Sequence, residues 1–458
     1  MEKKLSTKQI IVIASTLFGL CFGAGNLIFP SHLGQAAGYN FAPATVGFVI
    51  TAVGIPILGV ISIGFSRSSG FFALSSKVSK GFGYFITILL YLAIGPFFCI
   101  PRNASVSCNS GFSAIFENLG WDVNVCYVIF TICFFIIVGV LSWKPSQITL
   151  TIGKIINPVF LILLGILLFV ALFNPVGDIA QITPTEEYQA GPFFLGFKEG
   201  YQTMDALAGL AFGVIVIDSI KDMGVTKSGS ITKTLLKAGI ITAVVMAFIY
   251  LLIVVVGGES RGIFELSANG STALTQISNH YFGAAGDITL GIIVTLACMK
   301  TSIGLVASCS ATFNEMLPCK ALNYKRWVFI FICVSLLIAN IGLDSIISWA
   351  TPVLSFLYPV AIVLILLPFG KKIYGDSKIV YRVTIIFTIV PAVFDALASL
   401  PADFVSVCNL EGLISVVSSI FPFADVGFGW VVPAIVGFVV GIIAHKIAIG
   451  KSNSIKED

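Results

Sequence analysis

The chain has 458 residues, of which 57% are hydrophobic and only 10% are charged. Soluble domains carry about a quarter charged residues, so this composition excludes an ordinary soluble fold. The formal net charge of +4 comes from dispersed basic residues, which is not the pattern of a nucleic-acid-binding surface. We therefore expect one all-α transmembrane domain over residues 1–458, surrounded by membrane lipid and without a soluble enzyme domain.

Apolar runs of about 20 residues, the length that crosses a bilayer, recur along the whole chain. Turn-forming residues separate these runs and predict about twelve transmembrane helices, numbered here as spans one to twelve. Glu411 and Pro422 interrupt the apolar segment 404–424, so we expect an interfacial or re-entrant piece there. The predicted spans cover 10–37, 41–65, 82–113, 123–143, 148–173, 193–217, 233–256, 287–314, 327–341, 345–368, 379–400 and 427–449.

The basic residues set the predicted orientation. With the N-terminus in the cytoplasm, all but four of the 26 Lys and Arg residues fall in cytoplasmic segments. The exceptions are Arg102, Lys198, Arg261 and Lys300. Lys and Arg are enriched on the cytoplasmic side of membrane proteins, so this asymmetry supports the number of spans. It also predicts a multi-pass protein of the cytoplasmic (inner) membrane with both termini inside.

The cysteines give no sign of a metal site. The chain has 10 of them, but no CxxC pair and no Cys/His cluster occurs. Buried thiols behave as small apolar side chains, so we expect packing residues here and no resident cofactor.

Span one contains the segment FGAGNLIFP at 22–30, which favours a break in the helix. Glycine tolerates non-helical dihedral angles, and Pro30 lacks a backbone donor. Unwound backbone in mid-membrane must face protein or a polar cavity, because lipid cannot satisfy it. The first span is therefore predicted to be a broken helix at a polar site.

Span six has the same character at 200–213, where glycines and small residues surround a polar centre. Interrupted helices at matching positions of two halves indicate a transporter site near the membrane midplane. Spans one to five (about 10–173) and six to ten (about 193–368) would form a 5+5 inverted repeat, with two helices (about 379–449) appended. The alternative is that these glycines only allow close helix packing. Two such segments at the spacing of an inverted repeat favour the site.

Four segments resemble the branched-chain amino acid:cation symporter family of the BrnQ type. They are FGAGNLIFP at 22–30, GPFFCIPR at 95–102, GYQTMDALA at 200–208 and FLYPVAIVL at 356–364. The resemblance implies uptake of leucine, isoleucine and valine driven by a cation gradient. More distantly, it implies the LeuT-type fold of the amino acid–polyamine–cation superfamily.

A zwitterionic amino acid needs partners for its carboxylate, its ammonium group and its side chain. The carboxylate suits free amides at a half-helix N-terminus, here those of Ala24, Gly25 and Asn26. The ammonium group suits unwound carbonyls and the intramembrane carboxylate of Asp205. The alternative role for Asp205 is to cap the second half-helix of span six. The predicted substrate-binding residues are Phe22, Gly23, Ala24, Gly25, Asn26, Ser105, Met204, Asp205, Leu207 and Ala208.

Lys300 lies near the middle of span eight, about 20 Å of helix from either end, which is too far for its side chain to reach the membrane surface. In LeuT-like proteins a sodium site lies between span-one carbonyls and span-eight hydroxyls. The resemblance assigns that site to Gly19, Phe22, Ala297 and Thr301. The family carries a hydroxyl residue where this chain has Lys300, and that departure puts sodium coupling in doubt.

We hypothesise that the Lys300 ammonium replaces sodium as a tethered cation, because its three donors suit the same carbonyls. By losing and regaining a proton, Lys300 would couple transport to protons. The alternative is a static cation paired with a carboxylate, which would leave exchange or facilitated diffusion. The sequence therefore leaves the coupling ion open between sodium and the proton.

Two further charged residues are predicted to lie within spans. Arg102 follows Pro101 in span three, and we expect it near a helix break, where it orients backbone or pairs with an acid. Asp395 in span eleven lies outside the predicted repeat, and we expect a structural pairing there.

Other classes of function stay open to different degrees. A proton-coupled or uncoupled carrier of other small neutral amino acids or nucleobases would use the same fold. A channel would carry rings of charge in its spans, and the sequence has none. An enzyme is disfavoured because His32, His280 and His445 are far apart and no nucleophile–base pair or metal spacing occurs.

Overall fold

The computed structural model describes residues 5–66, 68, 70–143, 156–317 and 322–457. These residues form helices joined by turns, and they contain no strand. The all-α prediction is therefore confirmed for this part of the chain. Residues 148–155, with which span five was predicted to begin, lie outside the described residues.

The helices follow the predicted spans closely, and four spans are each divided into two helices. In chain order they are Thr7–Cys21 and Gly25–Ala37 (span one), Phe41–Val49 and Ile55–Ser66 (two), Lys80–Leu92 and Cys99–Asn109 (three), Val123–Ser142 (four), Asn157–Phe173 (five), Pro192–Glu199 and Asp205–Asp222 (six), Ser228–Glu259 (seven), Ala284–Met316 (eight), Tyr324–Ala339 (nine), Leu343–Leu366 (ten), Lys378–Ala398 (eleven) and Val431–Glu457 (twelve).

Length and composition make the chain a multi-pass membrane protein. Among the described residues, eight stretches of helix are long and apolar enough to cross a membrane when directly joined helices, such as those of Gly25–Ser66 and Lys80–Asn109, are counted as one; a pair bent by 45° at span six makes a ninth. Two further apolar helices, Thr7–Cys21 and Asn157–Phe173, have fewer than 18 described residues and are not counted among these. The total of twelve spans therefore stays a prediction.

The segment 404–424 forms no full span. It holds most of the short helix Ala402–Val407 and the helix Glu411–Ile420, which has 10 residues. About 20 residues are needed to cross the hydrocarbon core, so these two helices are both too short. This agrees with the expected interfacial or re-entrant piece.

Both predicted breaks are present. In span one the first helix ends at Cys21, Phe22 is extended (φ −85°, ψ 95°), and the second helix begins at Gly25. In span six a 3₁₀ turn over Gly200–Thr203 leads to Met204, which is left-handed (φ 61°, ψ 10°). Non-glycine residues in this conformation are strained and cluster at ligand sites. Local backbone chemistry thus interrupts both helices at the positions that the sequence indicated.

Glycines allow the second half of span one to touch span seven at backbone distance. A Cβ atom on Gly34 would lie 2.0 Å from the carbonyl oxygen of Val254. A Cβ on Gly257 would lie 2.2 Å from the carbonyl oxygen of Ser31. No side chain fits at either contact, so both glycines are required for this helix pair.

Gly34→Ala should therefore destabilise the protein. Overpacking of this kind costs about 1–3 kcal/mol in free energy of unfolding. The expected result is a lower melting temperature of the purified protein in detergent. Gly165→Ala in span five is the matched control, because its Cβ would meet nothing within 4 Å. Equal melting temperatures for the two variants would contradict the backbone contact.

Candidate substrate-binding site

The two broken segments lie side by side in the interior of the protein. A Cβ atom on Gly25 of span one would lie 3.1 Å from the Cα of Thr203 in span six. The side chain of Asn26 reaches across this contact and donates a hydrogen bond to the carboxylate of Asp205. Asn26 and Asp205 are 1% and 3% exposed. The fold therefore brings together the two segments that the sequence singled out separately.

Asn26 is the centre of a buried polar cluster that also involves span seven. Its Nδ2 donates to Oδ2 of Asp205 and to the hydroxyl of Tyr250, and its Oδ1 accepts from the amide of Gly23 at 2.6 Å. The Tyr250 hydroxyl donates to the same carboxylate oxygen at 3.4 Å. Sequence reasoning did not find Tyr250; the only signal was a single polar ring in a long apolar run.

Asp205 is held by neutral groups. Its amide donates to Oγ1 of Thr203 at 3.3 Å, and its carboxylate accepts from Asn26 and Tyr250. The described part of the chain contains no ion pair to Asp205. Asp205 is the first residue of its helix and follows the cap residue Met204. The hydrogen bonds of its carboxylate come from the side chains of Asn26 and Tyr250. Helix capping by Asp205, the alternative raised from the sequence, stays a prediction.

The second helix of span one presents its N-terminus to this cluster. Ala24 is the cap residue, and no side-chain hydrogen bond caps the helix. The first amides of a helix have no partner within it, so Ala24, Gly25 and Asn26 offer donors at the positive end of a helix dipole. The amide of Gly23 is already taken by Asn26.

An apolar wall adjoins these polar groups. Phe22, Met204 and Leu207 are fully buried, and Ala208 is buried beside them. They come from the two broken segments and the first turn that follows the break in span six. The arrangement offers amide donors, a carboxylate and an apolar surface within one interior region.

Ser105 has its hydrogen bonds elsewhere. Its hydroxyl donates to the carbonyl of Pro101 or of Ala339, both at 3.2 Å, and it accepts from the hydroxyl of Tyr127 at 2.7 Å. These partners belong to spans three, nine and four. Its recorded contacts therefore tie span three to its neighbours rather than to the broken segments.

Arg102 holds the unwound part of span six. It follows a π-turn over Ala93–Phe97, in which Gly95 is non-helical (φ −92°, ψ −123°). Its Nη1 donates to the carbonyl of Gln202 at 2.6 Å, and its guanidinium lies 5.3 Å from the ring of Phe29. The prediction that Arg102 lies near a break and orients backbone is confirmed.

Gln202 also lines a cavity of about 630 Å³. Charged and polar side chains line it, among them Lys198 and Glu199 of span six. The side-chain amide of Gln202 donates to Oγ1 of Thr351 in span ten at 3.0 Å. Gln202 therefore belongs both to the broken segment of span six and to the wall of this cavity.

Lys300 is fully buried, as its position in span eight predicted. Its ammonium donates to Oδ1 of Asn157 in span five at 3.0 Å. It also lies 3.8 Å from the ring centre of Phe160, 5.1 Å from that of Phe18 and 5.6 Å from that of Phe22. Aromatic faces attract a cation at such distances.

The partner of the ammonium differs from the one expected. The sequence hypothesis used span-one carbonyls as acceptors, whereas the recorded acceptor is Asn157, and the contacts to span one are with aromatic rings. Nδ2 of Asn157 in turn donates to the carbonyl and hydroxyl oxygens of Ser15, at 3.2 and 3.0 Å. No carboxylate pairs with Lys300 in the described residues, so the static ion pair raised as an alternative is not found there.

The four positions assigned to a sodium site are all buried. The Oγ1 of Thr301 would lie 3.0 Å from a Cβ on Gly23, so this hydroxyl faces the break in span one. It has no hydrogen-bond partner in the part of the chain that the structure describes. Ala297 and Gly19 belong to the two helices that meet there.

Two broken helices that meet at a buried polar cluster define a membrane transporter rather than an enzyme. The family model described as "Branched-chain amino acid transport protein" matches residues 6–448. The chain belongs to this family, which confirms the resemblance.

Curated relatives match over nearly their full lengths. The chain is 42% identical over 452 residues to the branched-chain amino acid permease BrnQ of Lactobacillus delbrueckii subsp. lactis, covering 98% of this chain and 100% of that protein. It is 39% identical over 457 residues to the permease BraB of Bacillus subtilis, covering 100% of both.

Solved structures support the fold class. Mhp1, a nucleobase-cation-symport-1 family transporter, in a closed conformation with bromovinylhydantoin bound, superposes with a TM-score of 0.59 at 16% identity over 97% of this chain and 93% of that one. MhsT in complex with L-phenylalanine superposes with a TM-score of 0.58 at 14% identity, over 98% of this chain and 99% of that one. Both have the LeuT-like fold, so the predicted fold class is confirmed.

Proposed function

We propose that this protein imports leucine, isoleucine and valine across the cytoplasmic membrane by cation-coupled alternating access. The observation that carries the proposal is the meeting of the broken segments of spans one and six, bridged by Asn26 and Asp205. The names of the curated relatives and of the family support the substrate class. We further propose that both termini are cytoplasmic and that the chain is one domain of twelve spans with a 5+5 inverted repeat.

Each part of the substrate has a proposed partner. The carboxylate binds the amides of Ala24, Gly25 and Asn26 at the half-helix N-terminus, where the dipole is favourable. The ammonium group binds Asp205, which forms no ion pair with a cation among the described residues. The aliphatic side chain packs on the apolar wall of Phe22, Met204, Leu207 and Ala208. Gly23 allows the helix to be interrupted beside these amides. Ser105 acts indirectly, by holding span three against its neighbours.

Coupling is the second part of the proposal. Lys300 supplies the positive charge that sodium supplies in related symporters, beside the positions Gly19, Phe22, Ala297 and Thr301. Its burial without a carboxylate partner in the described residues supports this role. An isolated charge inside the membrane is energetically costly, so its presence indicates a functional residue. Release and uptake of the Lys300 proton would then couple transport to a proton gradient.

The substrate class is tested by uptake of labelled leucine into proteoliposomes that contain the purified protein. Each of the twenty amino acids and a set of nucleobases is added as a competitor. Isoleucine and valine should inhibit at concentrations at least about tenfold lower than polar amino acids do, which corresponds to about 1.4 kcal/mol. Equal inhibition by polar amino acids, or inhibition by nucleobases alone, would contradict the proposal. Protein-free liposomes are the control for leak.

A further inference from the structure

An apolar groove lies outside the substrate region, between the end of span ten and the first half of span twelve. Its volume is about 380 Å³. Its walls are Val363 and Leu367 from span ten and Trp430, Ala434 and Phe438 from span twelve, with Thr384 of span eleven at its base. The hydroxyl of Thr384 donates to the carbonyl of Val380 in its own helix, so it presents no free donor to the groove.

The groove is elongated along span twelve. Trp430 and Phe438 are eight residues apart, which is about 12 Å at 1.5 Å per residue. At the Phe438 end the wall is closed by Gly370, whose Cβ would lie 3.6 Å from the Phe438 ring. A long, narrow and apolar space in a membrane protein suits an extended hydrocarbon chain.

Basic residues cluster at one end of the groove. Lys371 and Lys372 directly follow Gly370, and Lys446 follows Phe438 by about two helical turns. All three are exposed. Lys371 lies 3.5 Å from Asp376, whereas Lys372 and Lys446 have no ion pair within the described residues. Two exposed lysines without an ion pair among the described residues therefore follow, along the chain, the two wall segments that end at Gly370 and Phe438.

We propose that this groove binds an acyl chain of an anionic phospholipid, with the phosphate group held by Lys372 and Lys446. Basic pockets beside membrane helices bind anionic headgroups in this way. A second copy of the chain is a poorer occupant. Two copies inserted in the same orientation would bring their lysine clusters together at the same end, and like charges repel.

The test is native mass spectrometry on the full-length protein after lipids have been removed with detergent. The protein is titrated with phosphatidylglycerol or with phosphatidylcholine that carries the same acyl chains. Phosphatidylglycerol should bind at least about tenfold more tightly. The double variant Lys372→Gln/Lys446→Gln should weaken phosphatidylglycerol binding by about fivefold for each lysine and leave phosphatidylcholine binding unchanged.

Variants of the groove test the acyl-chain part. Ala434→Phe should fill the groove and abolish tight binding of both lipids. Val436→Phe is the matched control, since Val436 lies on the same helix, is 45% exposed and is not part of the groove wall. Melting temperature and gel filtration report whether each variant folds. If Ala434→Phe does not fold, the lysine variants test the lipid-binding proposal by themselves.

Three results would overturn the proposal. Equal affinity for the two lipids would remove the role of the lysines. Unchanged binding by folded Ala434→Phe would place the lipid elsewhere. A shift from dimer to monomer in Ala434→Phe, without loss of a bound lipid, would identify a second copy of the chain as the occupant.

Discussion

Asp205→Asn should lower leucine uptake into proteoliposomes by about 100-fold. Asparagine keeps the size of the side chain but removes the charge that we propose binds the substrate ammonium. Loss of one partner from a buried charge pair costs about 2–5 kcal/mol, and each 1.4 kcal/mol is a factor of ten in affinity. The effect should appear mainly as a higher substrate concentration at half-maximal uptake, since the carboxylate acts in binding.

Asp395→Asn is the matched control for this experiment. Asp395 is also a buried carboxylate, 8% exposed, but it lies in span eleven. The described residues show no ion pair within 4 Å of Asp395, and its Oδ2 has no hydrogen-bond partner there, although the charge of Lys198 in span six acts on this carboxyl. Uptake by Asp395→Asn should stay within about twofold of the natural protein. Near-normal uptake by folded Asp205→Asn, or an equal loss in both variants, would remove Asp205 from the site.

Lys300→Thr should give the protein a sodium dependence that, as we propose, the natural chain lacks. The change removes a buried cation and restores a hydroxyl beside that of Thr301, which faces the break in span one. In the natural protein, leucine uptake should respond to a proton gradient and not to a sodium gradient. In Lys300→Thr, an inward sodium gradient should stimulate uptake about tenfold or more, equivalent to at least about 1.4 kcal/mol of coupling.

Thr301→Val distinguishes ion binding from a general loosening of the helices. Valine is close to threonine in shape but has no hydroxyl oxygen to bind sodium. Combined with Lys300→Thr, it should abolish the new sodium response. In the natural background it should change uptake little, because the Thr301 hydroxyl has no partner among the described residues. Strong sodium stimulation of the natural protein would refute the tethered-cation hypothesis directly.

The positions of the breaks could be predicted because their causes are local. Glycines at 23 and 25, and the Gly–Tyr–Gln–Thr run before Met204, weaken the helix within the segment itself. The sequence likewise predicts a break near Arg102 because it follows Pro101, and the structure has that break one turn earlier, at the π-turn over Ala93–Phe97. Features of this kind need no knowledge of which helices pack together.

The roles of single polar side chains were harder to predict. The sequence predicts Ser105 as a substrate contact, but its hydrogen-bond partners Tyr127 and Ala339 come from spans four and nine. Tyr250 was not selected, although it joins the Asp205 cluster. A polar residue in an apolar helix has the same appearance in sequence whichever face it lies on.

By itself, the sequence determined the membrane class, the all-α fold, the two broken helices and the family. These follow from composition, from short-range backbone chemistry and from motifs that are continuous in the sequence. Only the tertiary structure decided the partners: Asn157 for Lys300, 143 residues away, and Tyr250 for Asn26, 224 residues away. Such pairs depend on the rotation of each helix against all its neighbours. The packing of the whole bundle sets that rotation, so it cannot be predicted from a local sequence pattern.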